Sequence, residues 1–263
     1  MTTELVQSEV VEVEALVPMV SAANDQVDLQ ITTAHRFPRS IARFRQQAMS
    51  MATIDEETAA GCFYNVPRDG KTIEGPSIRL AEICTSAWGN LRVECGVIDA
   101  GDREITAEGT CWDLETNVAI KRQVKRRITK RNGQRYSDDM VITTGNAACA
   151  IALRNAVFSV VPRVYVDELL RQVKLVAIGK AETLVKRRQE MIGYFGKMGI
   201  VKDRLLAHVG KPAVDDLTLE DVFALRSVAN AIKDGATSID EAFPTAQAPK
   251  TETTEQLKSR LRG

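Results

Sequence analysis

"LRVECGVIDAGDREITAEGTCWD", residues 91–113, is the stretch that decides the fold. Apolar or small residues occupy every second position from Leu91 to Val97 and again from Ile105 to Cys111, with polar residues between them. A period of two residues is typical of half-buried β-strands, and residues 99–102 have the composition of a turn. The sequence therefore predicts two antiparallel strands joined by a short connection.

A third and a fourth strand are predicted to follow. The segment 115–117 has turn composition, residues 119–131 continue as a strand, and Asn132-Gly133 is a strong two-residue hairpin signal. Residues 134–143 are then expected to return as the fourth strand. Because no helix separates these strands, the sheet is predicted to be an antiparallel meander.

Helical patterns flank the meander on both sides. Pro38 precedes apolar residues at three- and four-residue spacing, and Gly75-Pro76-Ser77 opens a second helix that ends at Gly89-Asn90. Residues 144–161 are expected to form a helix rich in alanine, which allows a close approach to a sheet or to a neighbouring helix. The predicted fold class is α+β: an antiparallel β-meander flanked by helices, with a small C-terminal helical module.

Four regions are expected along the chain. Residues 1–34 form an acidic flexible arm, residues 35–200 the main domain, residues 201–244 a helical interaction module, and residues 245–263 a flexible tail. In the module, capping boxes are expected where Thr218 is followed by Asp221 and Ser238 by Glu241.

Charge is segregated although 35 basic and 35 acidic residues cancel. Residues 1–34 hold six acids and no Lys or Arg, whereas residues 119–136 hold eight bases and no acid. Arg36, Arg39, Arg43 and Arg45 form a smaller basic block. A polyanion would be attracted to the middle of the chain.

The basic segment 119–136 allows two interpretations. In the expected hairpin, Arg127 faces Asp138 and Arg126 faces Asp139, as in an ordinary solvated sheet. The other cations have no evident local acid, and strand parity places Lys121, Lys125, Arg127 and Arg131 on one face. Like charges at two-residue spacing repel, so this pattern favours a polyanion surface over a solvated face. A row of cations along a strand suits the extended backbone of a single-stranded nucleic acid. If about six of its phosphates are neutralised, a plot of the logarithm of the binding constant against the logarithm of the salt concentration has a slope of roughly −4.

Composition argues against several other classes of protein. There is no apolar run of about 18 residues and no basic, apolar N-terminal signal, so we expect no membrane span and a cytoplasmic protein. The five cysteines are widely spaced and only two histidines accompany them, which argues against a zinc site or a disulfide framework. Asp69-Gly70-Lys71-Thr72 lacks the earlier glycine of a phosphate-binding loop, where Asn65 stands instead.

Three motifs resemble the phage single-strand annealing proteins, the RecT, Erf, Sak and lambda Red beta group of the annealing recombinase superfamily. They are the segment 75–82, GPSIRLAE, in a helix that ends at Trp88-Gly89-Asn90; the meander with its basic hairpin; and the segment 152–156, ALRNA. The order of elements resembles that group over about residues 35–200, although the detailed sequence departs from RecT and Red beta.

The resemblance implies a protein without enzymatic activity, cofactor or metal that binds single-stranded DNA and anneals complementary strands without ATP in phage homologous recombination. It also implies a homo-oligomeric ring or filament in the bacterial cytoplasm, which holds single strands and annealed duplex in a basic groove between sheet and helices. A host single-strand-binding protein or a phage exonuclease is the expected partner of residues 201–244. The expected DNA-binding residues are Arg36, Arg39, Arg43, Lys121, Arg122, Lys125, Arg126, Arg127, Lys130, Arg131, Arg135 and Arg154.

Two other functions stay open. A metal-dependent nuclease would need clustered carboxylates, for which Asp138, Asp139, Glu74, Glu82, Asp99 and Asp102 are the candidates. Neighbouring Asp138 and Asp139 would point to opposite faces of a strand. The third possibility is a non-catalytic oligomeric scaffold whose basic face serves assembly.

Overall fold

The computed structural model describes residues 25–68, 71–130, 132–179 and 183–244. The chain divides into two compact units. The first contains the described residues up to Tyr64 together with Glu74–Gly179, and the second contains Asn65–Ile73 and the described residues that follow position 182. The fold is α+β, as predicted from the sequence.

The sheet of the first unit has three antiparallel strands in the order β3-β4-β5. Their bounds are Leu91–Ala100 for β3, Glu104–Asp113 for β4 and Val118–Arg127 for β5. The turns between them fall where the sequence predicts them. Leu91 pairs with Asp113 and Glu104 pairs with Arg127, which fixes the register of the meander at both ends.

The predicted fourth strand is wrong, because residues 138–143 begin helix α5, Asp138–Val160. Asp138 and Asp139 lie in its first turn, where the positive end of the helix dipole favours acidic side chains. Of the expected hairpin, the described residues retain a single isolated bridge between Thr129 and Arg135. The expected pairs of Arg127 with Asp138 and of Arg126 with Asp139 therefore do not form.

Helix α5 packs on the sheet through its small residues, as its composition predicts. Ala148 and Ala152 are fully buried and contact Ala107 of β4. At Gly109 the approach is closest: a Cβ atom there would lie 2.4 Å from the backbone carbon of Ala152. In length and hydropathy α5 is the one helix of the described residues that could cross a membrane, and in this fold its small-residue face covers the sheet.

Four helices and a β-hairpin precede β3 in the described part of the chain. Their bounds are α1 over residues 25–36, α2 Ile41–Ala52, α3 Glu56–Gly61, β1 Phe63–Arg68, β2 Lys71–Pro76 and α4 Ile78–Trp88. Helix α6, Arg163–Ile178, follows α5. Phe44 of α2, Trp88 of α4 and Tyr165 of α6 form an aromatic cluster with ring centroids 4.9–6.2 Å apart.

The boundary of the predicted flexible arm is wrong. Residues 25–34 belong to α1, and Ala34 is buried with 1% of its surface exposed. The helix thus includes residues that were expected to be flexible, and its Ala34 contributes an apolar contact to the core. Residues 1–24 of the predicted arm, and the predicted tail at 245–263, lie outside the described residues.

The second unit is a helical cluster. Its elements are α7 Leu184–Lys197, α8 Lys202–Val209, a 3-10 turn Val214–Asp216, α9 Leu219–Lys233 and α10 Ile239–Ala242. Phe195 of α7 shares one core with Leu205, Leu225 and Phe243. This core places α7 with the C-terminal helices, so the division falls after Gly179 rather than at the predicted residue 200.

Local sequence signals in this unit are confirmed. Thr218 with Asp221 and Ser238 with Glu241 both form the predicted capping boxes. Each satisfies two backbone groups at the beginning of a helix.

Candidate nucleic-acid interface

The sheet edge formed by β5 carries five cations and no acid. They are Lys121, Arg122, Lys125, Arg126 and Arg127, here called the β5 cationic strip. In the part of the chain that the structure describes, β5 pairs with β4 alone, so its other edge is unpaired. At about 3.3 Å per residue the strip extends over roughly 20 Å. Basic side chains are therefore concentrated along this edge of the sheet.

The strip presents cations on both faces of the sheet. Arg122 lies opposite Gly109 and Arg126 opposite Ile105, both of which face α5. The intervening residues Lys121, Lys125 and Arg127 point to the opposite face, here called the open face. Parity along β5 is thus as predicted for these five residues.

Two cations of the open face are paired, contrary to the expectation that they lack a local acid. The ammonium of Lys121 lies 2.9 Å from a carboxylate oxygen of Glu108, and that of Lys125 lies 2.7 Å from Glu104. Hydrogen bonds from Gln123 and Lys121 lower the pKa of Glu108, and the hydrogen bond to Glu104 raises that of Lys125. Both pairs are largely exposed, and such pairs contribute only about 0–1 kcal/mol.

The open face as a whole is balanced in charge. The register places four bases and four acids on it, namely Arg92, Lys121, Lys125 and Arg127 with Glu94, Asp99, Glu104 and Glu108. The prediction of a one-sign face is therefore wrong, because β4 and β3 supply the acids. Positive charge is concentrated at the β5 edge instead, where the five cations of the strip outnumber Glu104 and Glu108 by three.

On the side that faces α5, Arg122 and Arg126 occupy different environments. The guanidinium of Arg122 donates a 3.0 Å hydrogen bond from Nε to Oγ of Ser159 on α5, and its side chain is exposed. Arg126 is half-buried. Ser159 thus holds one cation of the strip in place, a role that the sequence did not indicate.

The loop after β5 carries three more of the predicted cations. Lys130 bonds to the amide oxygen of Gln134 at 3.2 Å, and Arg135 donates to the carbonyl of Gly101 at 2.8 Å. Arg135 thereby ties the loop to the β3–β4 turn. Arg131 lies outside the described residues.

Arg39 is a structural residue rather than a surface cation. Its guanidinium makes two hydrogen bonds to the carboxylate of Asp113, and its Nε donates to Glu115 at 3.0 Å. It also lies over the ring of Trp88, 4.7 Å from the centroid. With a side chain 9% exposed and its donors engaged, Arg39 is not an accessible cation in this fold, and the proposed DNA surface does not include it.

The ion pair also affects Glu115. Burial alone would raise the pKa of this carboxyl, but hydrogen bonds from Asn90 and Arg39 outweigh burial and hold the pKa below its usual range. Glu115 is therefore charged in the folded protein at neutral pH. This charge completes the acidic pair that binds Arg39.

Arg36 and Arg43 remain on the surface. The guanidinium of Arg36 lies 5.6 Å from the ring centroid of Phe37, and Phe37 is 65% exposed. Arg43 is exposed on α2. Both are accessible cations, and neither is needed to define the β5 cationic strip.

Arg154 lies away from the sheet. Ala152 contacts Gly109 of the sheet. Arg154 comes two residues later, or about 200° around the helix, so it lies on the other side of α5. Its guanidinium lies 4.4 Å from the ring centroid of Tyr64 in β1. The same tyrosine packs so closely on Gly75 that a Cβ there would lie 2.8 Å from its hydroxyl oxygen. The structure thus places Arg154 beside Tyr64, away from the β5 cationic strip.

Trp112 is a further candidate residue of this interface, and no sequence motif indicated it. It lies opposite Ala119 of β5 on the open face, is half-buried, and donates a 3.2 Å hydrogen bond from its ring nitrogen to Asn117. Parity along β4 could have located it, since Trp112 follows Glu108 and Thr110 at steps of two. An aromatic ring beside the strip can stack on a nucleic acid base.

The carboxylates considered for a nuclease are dispersed. Asp138 and Asp139 lie in the first turn of α5, Glu74 pairs with Lys174 at 2.7 Å, and Asp99 lies on the open face. Within residues 25–68, 71–130, 132–179 and 183–244, no three His, Cys, Asp or Glu side chains are grouped as metal ligands.

Comparison of the chain with protein-family models, with curated proteins and with solved structures finds no match.

Proposed function

We propose that this protein binds single-stranded DNA along the β5 cationic strip and anneals complementary strands without ATP, as a homo-oligomeric ring or filament. The observation that carries the proposal is the edge of β5, unpaired among the described residues, where five cations outnumber the two neighbouring acids. The resemblance to phage annealing proteins, with its helix, meander and small-residue helix in that order, points to the same activity. Phage recombination in the bacterial cytoplasm is the setting proposed for it.

The shape of the strip favours an extended ligand. A compact nucleotide would meet only one or two of the cations, whereas a flexible single strand can follow a line of about 20 Å. Exposed pairs such as Lys121 with Glu108 are weak, so phosphates can replace the carboxylates at little cost. Counterion release then drives binding and makes it depend on salt.

Annealing requires no proton transfer and no nucleophile in this proposal. Cations along one strand reduce the repulsion between two phosphate backbones, and stacking of bases on aromatic rings keeps the strand extended. Assembly of many copies would hold a long strand open for pairing. The strip, Trp112 and an oligomer are the components that this process uses.

The second unit is proposed as an interaction module. Tyr194 and Val201 expose large apolar side chains there, 42% and 66% respectively. A host single-strand-binding protein or a phage exonuclease is the partner proposed for this unit. Recruitment of either would deliver single strands to the strip.

Neutralising three cations of the strip is expected to weaken DNA binding. In the variant Arg122→Gln, Lys125→Gln, Arg127→Gln, affinity for a labelled single strand falls about tenfold or more at low salt. The salt slope becomes shallower by about 2, at 0.7 per lost contact. Fluorescence anisotropy at several salt concentrations measures both quantities.

The matched control removes the same charge from the second unit. Lys186, Lys197 and Lys202 are exposed, and their replacement by glutamine is expected to leave affinity and slope unchanged. Equal losses in the two triple variants would show that net charge, and not the strip, determines binding. Unchanged binding in the strip variant would reject the proposed surface.

Stacking on Trp112 is expected to quench tryptophan fluorescence. The chain has two tryptophans, and Trp88 is 5% exposed, so Trp112 is the accessible one. Addition of oligothymidine should quench the wild-type emission, and Trp112→Phe should remove the quenching while it retains most of the affinity. Quenching that persists in Trp112→Phe would place the bases elsewhere.

A further inference from the structure

Two thiols meet on the side of α5 that faces β3. Cys95 lies on β3 opposite Gly109, and Gly109 contacts the backbone of Ala152. Cys149 precedes Ala152 by three residues, or about one helical turn. Burial and, after it, the neighbouring thiol of Cys95 raise the pKa of Cys149. Sheet register thus puts Cys95 on the face that α5 covers, and helix periodicity puts Cys149 one turn from the closest contact of α5 with that face.

The other three cysteines are in a different environment. Cys62, Cys84 and Cys111 are each 0% exposed. Burial raises the pKa of each thiol to about 12. A thiol that is buried and protonated reacts poorly with oxidants. Cys95, by contrast, is exposed on an edge strand, and Cys149 is half-buried beside it.

We propose that Cys95 and Cys149 form an oxidisable pair that closes a disulfide between β3 and α5. The bond would tie the edge strand β3 to the helix that covers the sheet. This edge lies opposite β5 in the strand order, so the inference is independent of the proposed DNA surface.

The chemistry balances with a disulfide oxidant such as oxidised glutathione. The thiolate of exposed Cys95 attacks one glutathione sulfur and displaces the other glutathione as a thiolate. The thiolate of Cys149 then attacks the Cys95 sulfur and releases the second glutathione. The protein loses two protons and two electrons, and one oxidised glutathione becomes two reduced molecules. Burial raises the pKa of Cys149, which is consistent with Cys95 reacting first.

Thiol counting on the full-length protein tests the pair. After native incubation with oxidised glutathione, removal of the reagent and denaturation, the free thiols are expected to fall from five to three. Peptide mapping without reductant should then show the Cys95 peptide joined to the Cys149 peptide. Dithiothreitol should restore all five thiols. The mapping uses the unaltered chain, so it does not depend on a variant that folds.

A single substitution tests the order of attack. Cys149→Ser is expected to accumulate a mixed disulfide of glutathione with Cys95 and to form no internal bond. The inference is overturned if five thiols stay free, if Cys95 links only to a second copy of the chain, or if another pair closes. Failure of Cys149→Ser to carry glutathione at Cys95 would reject Cys95 as the attacking thiol.

Discussion

The variant Arg39→Ala is expected to lose about 3–5 kcal/mol of unfolding free energy, the range for a broken buried ion pair. Arg39 binds Asp113 through two nitrogens and Glu115 through a third. Asp113 is 4% exposed, so removal of the guanidinium leaves a buried carboxylate without its cation. The contact with the ring of Trp88 is lost as well. Urea unfolding followed by circular dichroism measures the loss.

Two further variants distinguish the loss of this ion pair from the loss of one positive charge. Arg43→Ala removes an exposed arginine four residues later in the chain, inside α2, and its stability is expected to stay within about 0.5 kcal/mol of wild type. Arg39→Lys should recover little, because one ammonium cannot reproduce a planar, bidentate contact. An Arg39→Ala protein as stable as Arg43→Ala would contradict the structural role given to this arginine.

Gly109→Ala is expected to cost about 3 kcal/mol, at the upper end of what overpacking of a core usually costs. The added Cβ would lie 2.4 Å from the carbonyl carbon of Ala152 and 2.5 Å from its oxygen. Those are backbone atoms of α5, so no side-chain rotation can relieve the clash, and the helix must move away from the sheet. A lower midpoint in thermal unfolding by circular dichroism measures this effect.

The matched control is Gly96→Ala on β3 of the same sheet. Nothing lies within 4 Å of a Cβ at Gly96. Alanine there should leave stability unchanged or raise it slightly, since a glycine in a strand loses more conformational freedom on folding. If the two alanine variants were equally stable, the close approach of α5 to β4 would be incorrect.

Features encoded in local sequence were predictable. The two-residue period of β3 and β4 and the turns between strands predicted the meander, and in β4 every second residue from Ile105 to Asp113 is buried. The small residues around Ala152 predicted a helix that closely approaches a sheet or another helix. The two capping boxes of the second unit depend on residues three positions apart, and both form.

Features that depend on distant residues were not predictable. The sequence near Arg39 predicts a surface cation, because its partner Asp113 lies 74 positions away in the chain and contacts it only in the folded protein. Asn132-Gly133 predicts a hairpin and hence a strand where α5 begins, whereas Asp138 and Asp139 stabilise a helix there. The charge balance of the open face is different, because it was predictable from local sequence. The turn at 115–117 sets the register that brings Glu104 and Glu108 beside Lys125 and Lys121.

The most direct test of the proposed function is annealing without ATP by the full-length protein. Two complementary oligonucleotides, one with a fluorophore and one with a quencher, report pairing as a loss of emission. The wild-type protein and the Lys186, Lys197, Lys202 control should accelerate pairing well above the spontaneous rate. The Arg122, Lys125, Arg127 variant should approach the spontaneous rate. Wild-type pairing no faster than spontaneous, or magnesium-dependent cleavage of the strands, would contradict an annealing protein that works through the β5 cationic strip.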